Sequence, residues 1–151
     1  MLTVKTYLAP SSVHGIGLFA AENIPAQDVV WKFNDHVDKQ YSHEHFLRVC
    51  DDLNECTLKH ILNSSYRRGD SYFYLTDNAR FINHSVIQKN IIFVDDYTEI
   101  AIRDISAHEE LFEDYNLSYD PADFFFQELL NPDPYTYISH MIMHGYRSAN
   151  C

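Results

Sequence analysis

Cysteine is scarce in this chain of 151 residues, which contains only Cys50, Cys56 and Cys151. An odd number of cysteines without paired C-x-x-C spacing argues against a disulfide framework and against a structural zinc site. We therefore expect three reduced thiols. Histidine pairs with ligand spacing occur at His43 and His45 and at His140 and His144. Neither pair has an acidic or cysteine partner that would complete a coordination shell, so no metal is predicted.

Long apolar runs are also missing. No stretch of about 18 apolar residues occurs, so no membrane-spanning helix is predicted. The first residues, 1–7, lack the basic region and the apolar run of a secretory signal. We therefore expect an intracellular protein, cytoplasmic or nuclear, or one directed at a host if the source is microbial or viral. The length fits one domain with its own core.

Basic residues are outnumbered: 11 Lys and Arg stand against 22 Asp and Glu, which gives a formal net charge of −11. Such a surface repels phosphate backbones, so direct binding of nucleic acid is disfavoured. It attracts a basic protein segment and speeds its encounter with the protein. Simple solubility is an equally good reading of this charge. The sequence does not determine the oligomeric state, so association of this chain with further copies of itself stays open.

The patterning of the chain predicts a mainly β fold. Short strand candidates include Ser71–Leu75, Asn90–Val94 and Glu99–Arg103, the last two forming a hairpin. Residues 35–70 differ, because a possible N-cap at Ser42 precedes a helical apolar pattern. From residue 121 onward the pattern again turns helical. We therefore expect a domain over 1–120 with a variable helical insert at about 35–70, and a helical C-terminal extension over 121–151 that packs on the domain.

Three motifs follow one another along the chain. The first is Gly15–Ala20, whose two glycines indicate a loop where the backbone comes close to a ligand or to another part of the chain. The second is Arg80–Ser85, which reads R-F-I-N-H-S. The third is Glu109–Asn116, which reads E-E-L-F-E-D-Y-N. In this order and within one small domain, they resemble the SET domain, the fold of the protein-lysine methyltransferases, over roughly residues 3–120.

This resemblance implies a fold of several small β-sheets with short inserted helices and a knot-like threading of the last segment. It implies an enzyme: an S-adenosylmethionine (SAM)-dependent protein-lysine N-methyltransferase that acts on a basic segment such as a histone tail. Tyr115 would be the catalytic residue, its hydroxyl orienting the amine at the methyl-transfer pore. The cofactor would be SAM, and the resemblance and flanking residues give its expected contacts: Gly15, Ile16, Gly17, Leu18, Arg80, Phe81, Asn83 and His84. Asp114 and Glu110 are expected to hold local structure.

A methyl-transfer pore also needs aromatic walls, which attract an amine or ammonium. The candidates for the substrate-lysine channel flank the motifs and are Tyr72, Tyr74, Phe93, Tyr119 and Phe124. Residues 119–130 are expected to form a lid in place of the zinc module that many SET proteins carry after the domain. Simple packing of these aromatic residues on the core is the competing interpretation.

The chain departs from the family after the second motif. Where the family commonly continues with C-x-P-N, this sequence reads Val86 to Asn90, without Cys or Pro and with the Asn one place late. If Asn90 is the equivalent residue, Phe93 falls near the position that tunes how many methyl groups are added, and a Phe leaves room for higher methylation. The altered loop allows an inactive SET-like binding module as one alternative. A methyltransferase for a non-histone protein is a second. An enzyme acting on a free amino acid or small amine is a third.

Overall fold

The computed structural model of the protein describes residues 1–121 and residue 123. In that part of the chain, most elements are short strands, joined by tight turns and interrupted by two helices in the middle of the sequence. The strands are β1 Thr6–Pro10, β2 Ile16–Ala20, β3 Val29–Lys32, β4 Lys39–Ser42, β5 Ser65–Arg68, β6 Ser71–Tyr74, β7 Asn83–His84, β8 Ile91–Asp95, β9 Thr98–Ala101 and β10 Phe112–Glu113. The helices are α1 His43–Asp51, α2 Glu55–Asn63, a 3₁₀ helix Asn78–Phe81 and α3 Tyr115–Ser118.

These elements form two compact units. The first unit joins Met1–Lys39 to Leu75–Ser118 and holds three small sheets. Strands β1 and β2 form an antiparallel hairpin, β9 lies between β3 and β8, and β7 pairs with β10 in parallel. The core of this unit is made of apolar side chains from the strands and from the turns that connect them. Its most deeply buried members are Leu18, Ala20, Ile24, Val30, Trp31, Ile91, Ala101, Ile105 and Leu111.

The second unit contains Gln40–Tyr74 together with Tyr119 and the described residues that follow it. Its two helices begin at side-chain caps: the hydroxyl of Ser42 accepts from the His45 amide at 3.3 Å, and the carboxamide of Asn54 accepts from the Thr57 amide at 3.1 Å. These caps satisfy amides that have no partner within the helix. In the three-stranded sheet of this unit, β6 lies between β4 and β5.

An apolar cluster fills the space between helix and sheet in the second unit. The ring of Phe46 stacks on that of Tyr72 with centroids 4.1 Å apart. Cys50 lies in the same cluster, where burial raises the pKa of its thiol to about 11, so it packs as a small apolar side chain. The cluster also contains Leu58 and Leu62. Sequence spacing of i, i+4 on each helix directs these residues to one face.

The outer edge of β5 is also covered within this unit. The backbone carbonyl of Arg67 accepts from the Asp120 amide at 2.8 Å. The Arg67 amide in turn donates to the carboxylate of Asp123. Tyr119, which precedes this segment, stacks on Tyr66 with centroids 5.2 Å apart. The residues after α3 therefore satisfy backbone groups that an edge strand would otherwise present to solvent.

The prediction of a mainly β fold with several small sheets and short inserted helices is confirmed. Helices α1 and α2 both lie in the predicted insert. Strand β1 includes Pro10, which pairs with Ile16 at the end of the hairpin. The predicted helical extension over 121–151 lies almost wholly outside the described residues. Among residues 1–121 and 123, no helix is long and apolar enough to cross a membrane.

Candidate active site

The second and third sequence motifs lie side by side in the first unit. Strand β7 runs parallel to β10, with Asn83 opposite Phe112 and His84 opposite Glu113. The amide of Ser85 extends the pairing by donating to the carbonyl of Glu113 at 2.9 Å. Backbone hydrogen bonds therefore fix the register between two segments that are distant in sequence. They also fix the position of the backbone that continues from β10 to Tyr115.

Tyr115 follows directly and is held at both ends. Its hydroxyl donates to the carbonyl of Ile82 at 2.5 Å, and its amide donates to Nδ1 of His84 at 3.1 Å. The His84 and Tyr115 rings lie 5.1 Å apart at an angle of 35°. Because the phenol has a single proton and gives it to Ile82, its oxygen presents lone pairs to any further ligand. The Tyr115 oxygen is therefore set up as a hydrogen-bond acceptor.

The same geometry assigns the tautomer of His84. Since Nδ1 accepts the Tyr115 amide proton, this nitrogen carries no proton of its own, and a neutral His84 bears its proton on Nε2. The carboxylate of Asp114 lies 4.0 Å from the same Nδ1. This contact is too long for a hydrogen bond and has no proton between the two atoms. His84 therefore serves as the acceptor that orients the Tyr115 backbone.

Asn83 connects these segments to the first motif. Its Nδ2 lies within hydrogen-bonding distance of three acceptors: the carbonyl of His14 at 3.0 Å, the carbonyl of Ile16 at 3.2 Å and Oε1 of Glu110 at 3.0 Å. Because Nδ2 carries two protons and has three acceptors, one of the protons is shared between two acceptors. Asn83 thus ties the glycine loop to strand β7 and leaves its own carbonyl oxygen as an acceptor.

Glu110 explains why the first motif contains glycine. Its side chain is 7% exposed, and Oε2 accepts from the hydroxyl of Ser11 at 3.1 Å. A Cβ at position 17 would lie 2.0 Å from Glu110 Oε1, so only glycine leaves room for this carboxylate. Gly15 meets no such neighbour but has a φ of +52°, a conformation that favours glycine. Each glycine of the motif therefore has its own physical cause.

Asn90 pins the altered loop to the third motif. It is fully buried, and its Nδ2 donates to the carbonyl of Glu110 at 2.8 Å and to Oε1 of Glu109 at 3.0 Å. Its Oδ1 accepts from the amide of Phe112 at 2.9 Å. Its backbone amide donates to the Phe112 carbonyl at 3.0 Å. All the side-chain protons of Asn90 are therefore used inside the protein, which supports a structural role rather than a ligand contact.

Lys89 lies beside Asn90 and pairs with Asp114. Its Nζ lies 3.0 Å from Oδ2 of Asp114, whose side chain is 7% exposed. Burial would raise the pKa of the Asp114 carboxyl, but hydrogen bonds from Lys89 and Asn116 outweigh burial and hold it below its usual value of 3.8. Oδ1 of the same carboxylate accepts from the Asn116 backbone amide at 3.2 Å and from its carboxamide at 3.0 Å. Asp114 is therefore a charged cap at the start of α3.

The remaining residues predicted to contact the cofactor occupy distinct positions in the first unit. Leu18 is fully buried in the core, whereas Ile16 is half exposed. The guanidinium of Arg80 lies over the Phe81 ring, 4.9 Å from its centroid, on the 3₁₀ helix that leads into β7. From these positions the three residues can support the segment that carries Asn83 and His84. Direct contacts of Leu18, Arg80 and Phe81 with a cofactor stay predictions.

The predicted channel residues are distributed over both units. Phe93 belongs to the first unit and packs edge-on against Trp31 with centroids 5.8 Å apart. Tyr72, Tyr74 and Tyr119 belong to the second unit. Tyr72 is 4% exposed within the apolar cluster, and the Tyr74 hydroxyl lies 3.3 Å from Nε2 of His60. Phe124 and the rest of the predicted lid from residue 124 onward lie outside the described residues. The channel assignment stays a prediction.

Sequence reasoning missed the central part that Glu110, Asn90 and Lys89 play in this site. Glu110 was expected only to hold local structure, yet it contacts both the Ser11 and the Asn83 side chains. Four of the eight residues in its motif are acidic, so the local sequence did not single out Glu110. Nothing in the local sequence indicated that Lys89 would reach Asp114. Throughout residues 1–121 and 123, no group of three or more His, Cys, Asp or Glu side chains is arranged to hold a metal.

Comparisons with known proteins agree with this arrangement. The sequence model of the SET domain matches residues 15–116. The chain is 32% identical over 129 residues to a Schizosaccharomyces pombe protein named histone-lysine N-methyltransferase, H3 lysine-4 specific, covering 74% of this chain and 13% of that protein. A Chaetomium globosum protein of the same name is 34% identical over 124 residues, which cover 71% of this chain and 10% of the relative. The chain thus spans only a small part of the length of these relatives.

Solved structures show the same fold. A structure of the Polycomb Repressive Complex 2 of Chaetomium thermophilum matches with a TM-score of 0.56 and 24% identity, covering 85% of this chain and 18% of that one. At this identity the match concerns the fold alone. The family match spans residues 15–116, which include the segments that form the site described above. The chain belongs to the SET domain family.

Proposed function

We propose that this protein is a SAM-dependent protein-lysine N-methyltransferase with Tyr115 as its catalytic residue. The observation that carries the proposal is the double restraint on Tyr115, whose hydroxyl donates to Ile82 and whose amide donates to His84. A phenol oxygen held as an acceptor can receive an N–H of a neutral lysine amine and orient the nitrogen lone pair. The phenol does not compete as a nucleophile while it keeps its proton.

The chemistry of the donor set fits SAM. When bound, SAM supplies an electrophilic methyl group on a sulfonium. The side-chain carbonyl oxygen of Asn83 and the protonated Nε2 of His84 offer an acceptor and a donor for its polar groups. Gly17 leaves room for the Glu110 carboxylate, which accepts from Asn83 Nδ2 and so orients that side chain. Half-exposed Ile16 offers an apolar contact. Within the proposed assignment, Gly15, Leu18, Arg80 and Phe81 shape this surface.

The substrate would be a basic protein segment. The net charge of −11 favours encounter with Lys- and Arg-rich peptides. The two relatives are named for a histone H3 lysine, which makes the H3 tail the first acceptor to test, and such a substrate would place the protein in the nucleus. We assign the SET domain to residues 1–120, with Phe93, Tyr72, Tyr74, Tyr119 and Phe124 as candidates for the lysine channel.

The test is transfer of labelled methyl from SAM to core histones and to cell extract. Wild type is expected to label a protein band, and Tyr115→Phe is expected to reduce the rate about a hundredfold or more, since the amine loses its orienting acceptor. Tyr7→Phe is the matched control, because Tyr7 also has a hydrogen-bonded phenol, 3.1 Å from Nδ1 of His108, at an exposed position. This control should keep the wild-type rate.

Three outcomes would contradict the proposal. Failure of the wild type to bind SAM would favour the alternative of a SET-like binding module without catalysis. Turnover of SAM in the presence of free amines, with no label in any protein, would replace the protein acceptor by a small amine. Equal rates for wild type and a folded Tyr115→Phe variant would remove Tyr115 from the catalytic role.

A further inference from the structure

Lys89 occupies a part of the chain where the sequence departs from its family, and its surroundings give it a defined task. The loop Val86–Asn90 lacks the expected Cys and Pro. Its first apolar residues are exposed, 53% for Val86 and 94% for Ile87. Lys89, by contrast, turns inward and pairs with Asp114 at 3.0 Å, with only 30% of its side chain exposed. After three exposed residues, Lys89 therefore contacts the residue that precedes Tyr115.

The base of the Lys89 side chain is fixed. The neighbouring Asn90 is fully buried and exchanges backbone and side-chain hydrogen bonds with Phe112 at 3.0 and 2.9 Å. A lysine on a mobile loop would lose much side-chain entropy on forming an ion pair. Lys89 starts from a backbone already anchored to the third motif, so its ammonium is presented to Asp114 at a lower entropic cost.

The other partner is fixed as well. Asp114 is buried, and its carboxylate caps α3 through the backbone and side-chain amides of Asn116. Its backbone carbonyl also accepts from the Leu117 amide at 2.9 Å. Tyr115 is the first residue of this short helix. The orientation of the Asp114 peptide therefore fixes the position of the Tyr115 backbone, from which the tyrosine side chain extends. A buried carboxylate without its cation would be costly and would turn toward solvent.

We propose that Lys89 is a positioning residue, which acts through the Asp114 cap to hold Tyr115 in its hydrogen bonds to Ile82 and His84. This role rests on the proposed methyltransferase function of the same site. The expected consequence of losing Lys89 is a misplaced phenol rather than a lost ligand contact.

The first test replaces the ammonium without shortening the side chain. Lys89→Met is expected to lower kcat for methyl transfer about tenfold or more, because small displacements of a catalytic group cost large factors in rate. The KM for SAM should change by less than about threefold, since Asn83 and the glycine loop are untouched. Lys89→Arg keeps the charge and should restore kcat to within about threefold of wild type. Lys5→Met is the matched control: its ammonium pairs with Glu22 at 2.8 Å, but both side chains are exposed, so no change is expected.

The second test is a double-mutant cycle. Asp114→Asn keeps an N-capping side chain but removes the charge that requires a cation. If Lys89 acts by neutralising Asp114, then adding Lys89→Met to Asp114→Asn should lower kcat by less than about threefold, far less than in the wild-type background. Equal losses in both backgrounds would overturn the proposed route through Asp114.

The third readout needs no acceptor protein. Selective ¹³C labelling of tyrosine gives a ring resonance for Tyr115, assigned by its absence in Tyr115→Phe. This resonance should shift in Lys89→Met, recover in Lys89→Arg and stay unchanged in Lys5→Met. An unchanged Tyr115 resonance and kcat in folded Lys89→Met would show a merely stabilising ion pair and overturn the inference. If the wild type transfers no methyl group, the proposed function fails, while this resonance still decides whether Lys89 positions Tyr115.

Discussion

The two units of the protein differ in the groups that organise them. In the first unit, a polar centre accompanies the apolar core: the side chains of Asn83, Glu110 and Asn90 hydrogen-bond to backbone and side-chain groups of three separate segments. In the second unit, the centre is apolar, and the stacked rings of Phe46 and Tyr72 lie at its middle. Hydrogen bonds have direction, whereas apolar packing is governed mainly by area and volume. The polar centre can therefore fix the positions of atoms, and the apolar centre mainly supplies stability.

This difference predicts different responses to substitution. Changes in the apolar centre should lower the free energy of unfolding and leave cofactor binding by the folded molecules intact. Changes in the polar centre should lower both together, because the hydrogen bonds that stabilise the unit are the same ones that shape the site.

The largest effect is expected for Phe46→Ala in the second unit. Removing a buried aromatic ring should lower the free energy of unfolding by about 3–5 kcal/mol. Urea denaturation measures this loss, and calorimetric titration at a temperature where the variant is folded should give a SAM affinity within about twofold of wild type. Phe46→Leu keeps most of the volume and should lose under about 1.5 kcal/mol. A SAM affinity that falls together with stability in both variants would contradict the claim that the apolar centre supplies stability and the polar centre shapes the site.

Asn90→Ala should be next in magnitude and different in kind. It removes three side-chain hydrogen bonds and leaves the buried Phe112 amide and Glu110 carbonyl without their Asn90 partner, which should cost about 2–4 kcal/mol. SAM affinity should also fall, by about tenfold, because Glu110 no longer has a fixed backbone. Asn90→Asp has the same shape but cannot donate and adds a negative charge near Glu109. Its stability should be no better than that of Asn90→Ala, and a near-wild-type result would refute the proposed hydrogen-bond assignment.

The two glycines of the first motif separate a steric cause from a conformational one. Gly17→Ala places a methyl group against the Glu110 carboxylate and should cost about 1–3 kcal/mol as an overpacked substitution. Gly15→Ala meets open space and should cost about 1 kcal/mol through its positive φ alone. Only Gly17→Ala displaces Glu110 and Asn83, so only this variant should weaken SAM binding strongly. Equal weakening by both variants, measured by titration, would show that loop conformation rather than Glu110 controls the site.

The smallest effect is a difference in acid sensitivity. Burial, aided by the charge of Arg67 and opposed by that of Asp70, lowers the pKa of His43 below its ordinary value of 6.5. The unfolded chain then binds this proton more readily, so the stability that neutral His43 contributes is complete above pH 6.5 and is lost as the pH falls through the lower folded pKa.

The pKa of Asp114 is also lowered, from 3.8, so the stability that it contributes in the first unit is lost only at a more acidic pH. Denaturation at a series of pH values should therefore show a decline of stability below pH 6.5 that His43→Gln removes. A decline that persists unchanged in His43→Gln would assign it to other histidines.

The parts of the site that the sequence predicted are those encoded locally. Asn83, His84 and Tyr115 lie in short motifs whose residue types resemble those of the SET domain family. Ser42 indicated the start of a helix because its hydroxyl can cap a backbone amide. The roles of Glu110 and Lys89 could not be predicted in the same way, because their partners lie far away in sequence. Strands β4 and β5 were also missed, since short polar segments such as Lys39–Ser42 have no clear alternation.

The most direct test of the account is mass spectrometry of histone H3 after incubation with SAM and the protein. The account predicts a new methyl group on a lysine side chain with wild type, none above background with folded Tyr115→Phe, and an undiminished product with Tyr7→Phe. Methylation of lysine by Tyr115→Phe at the wild-type rate would contradict the central claim that the restrained Tyr115 hydroxyl positions the reacting amine.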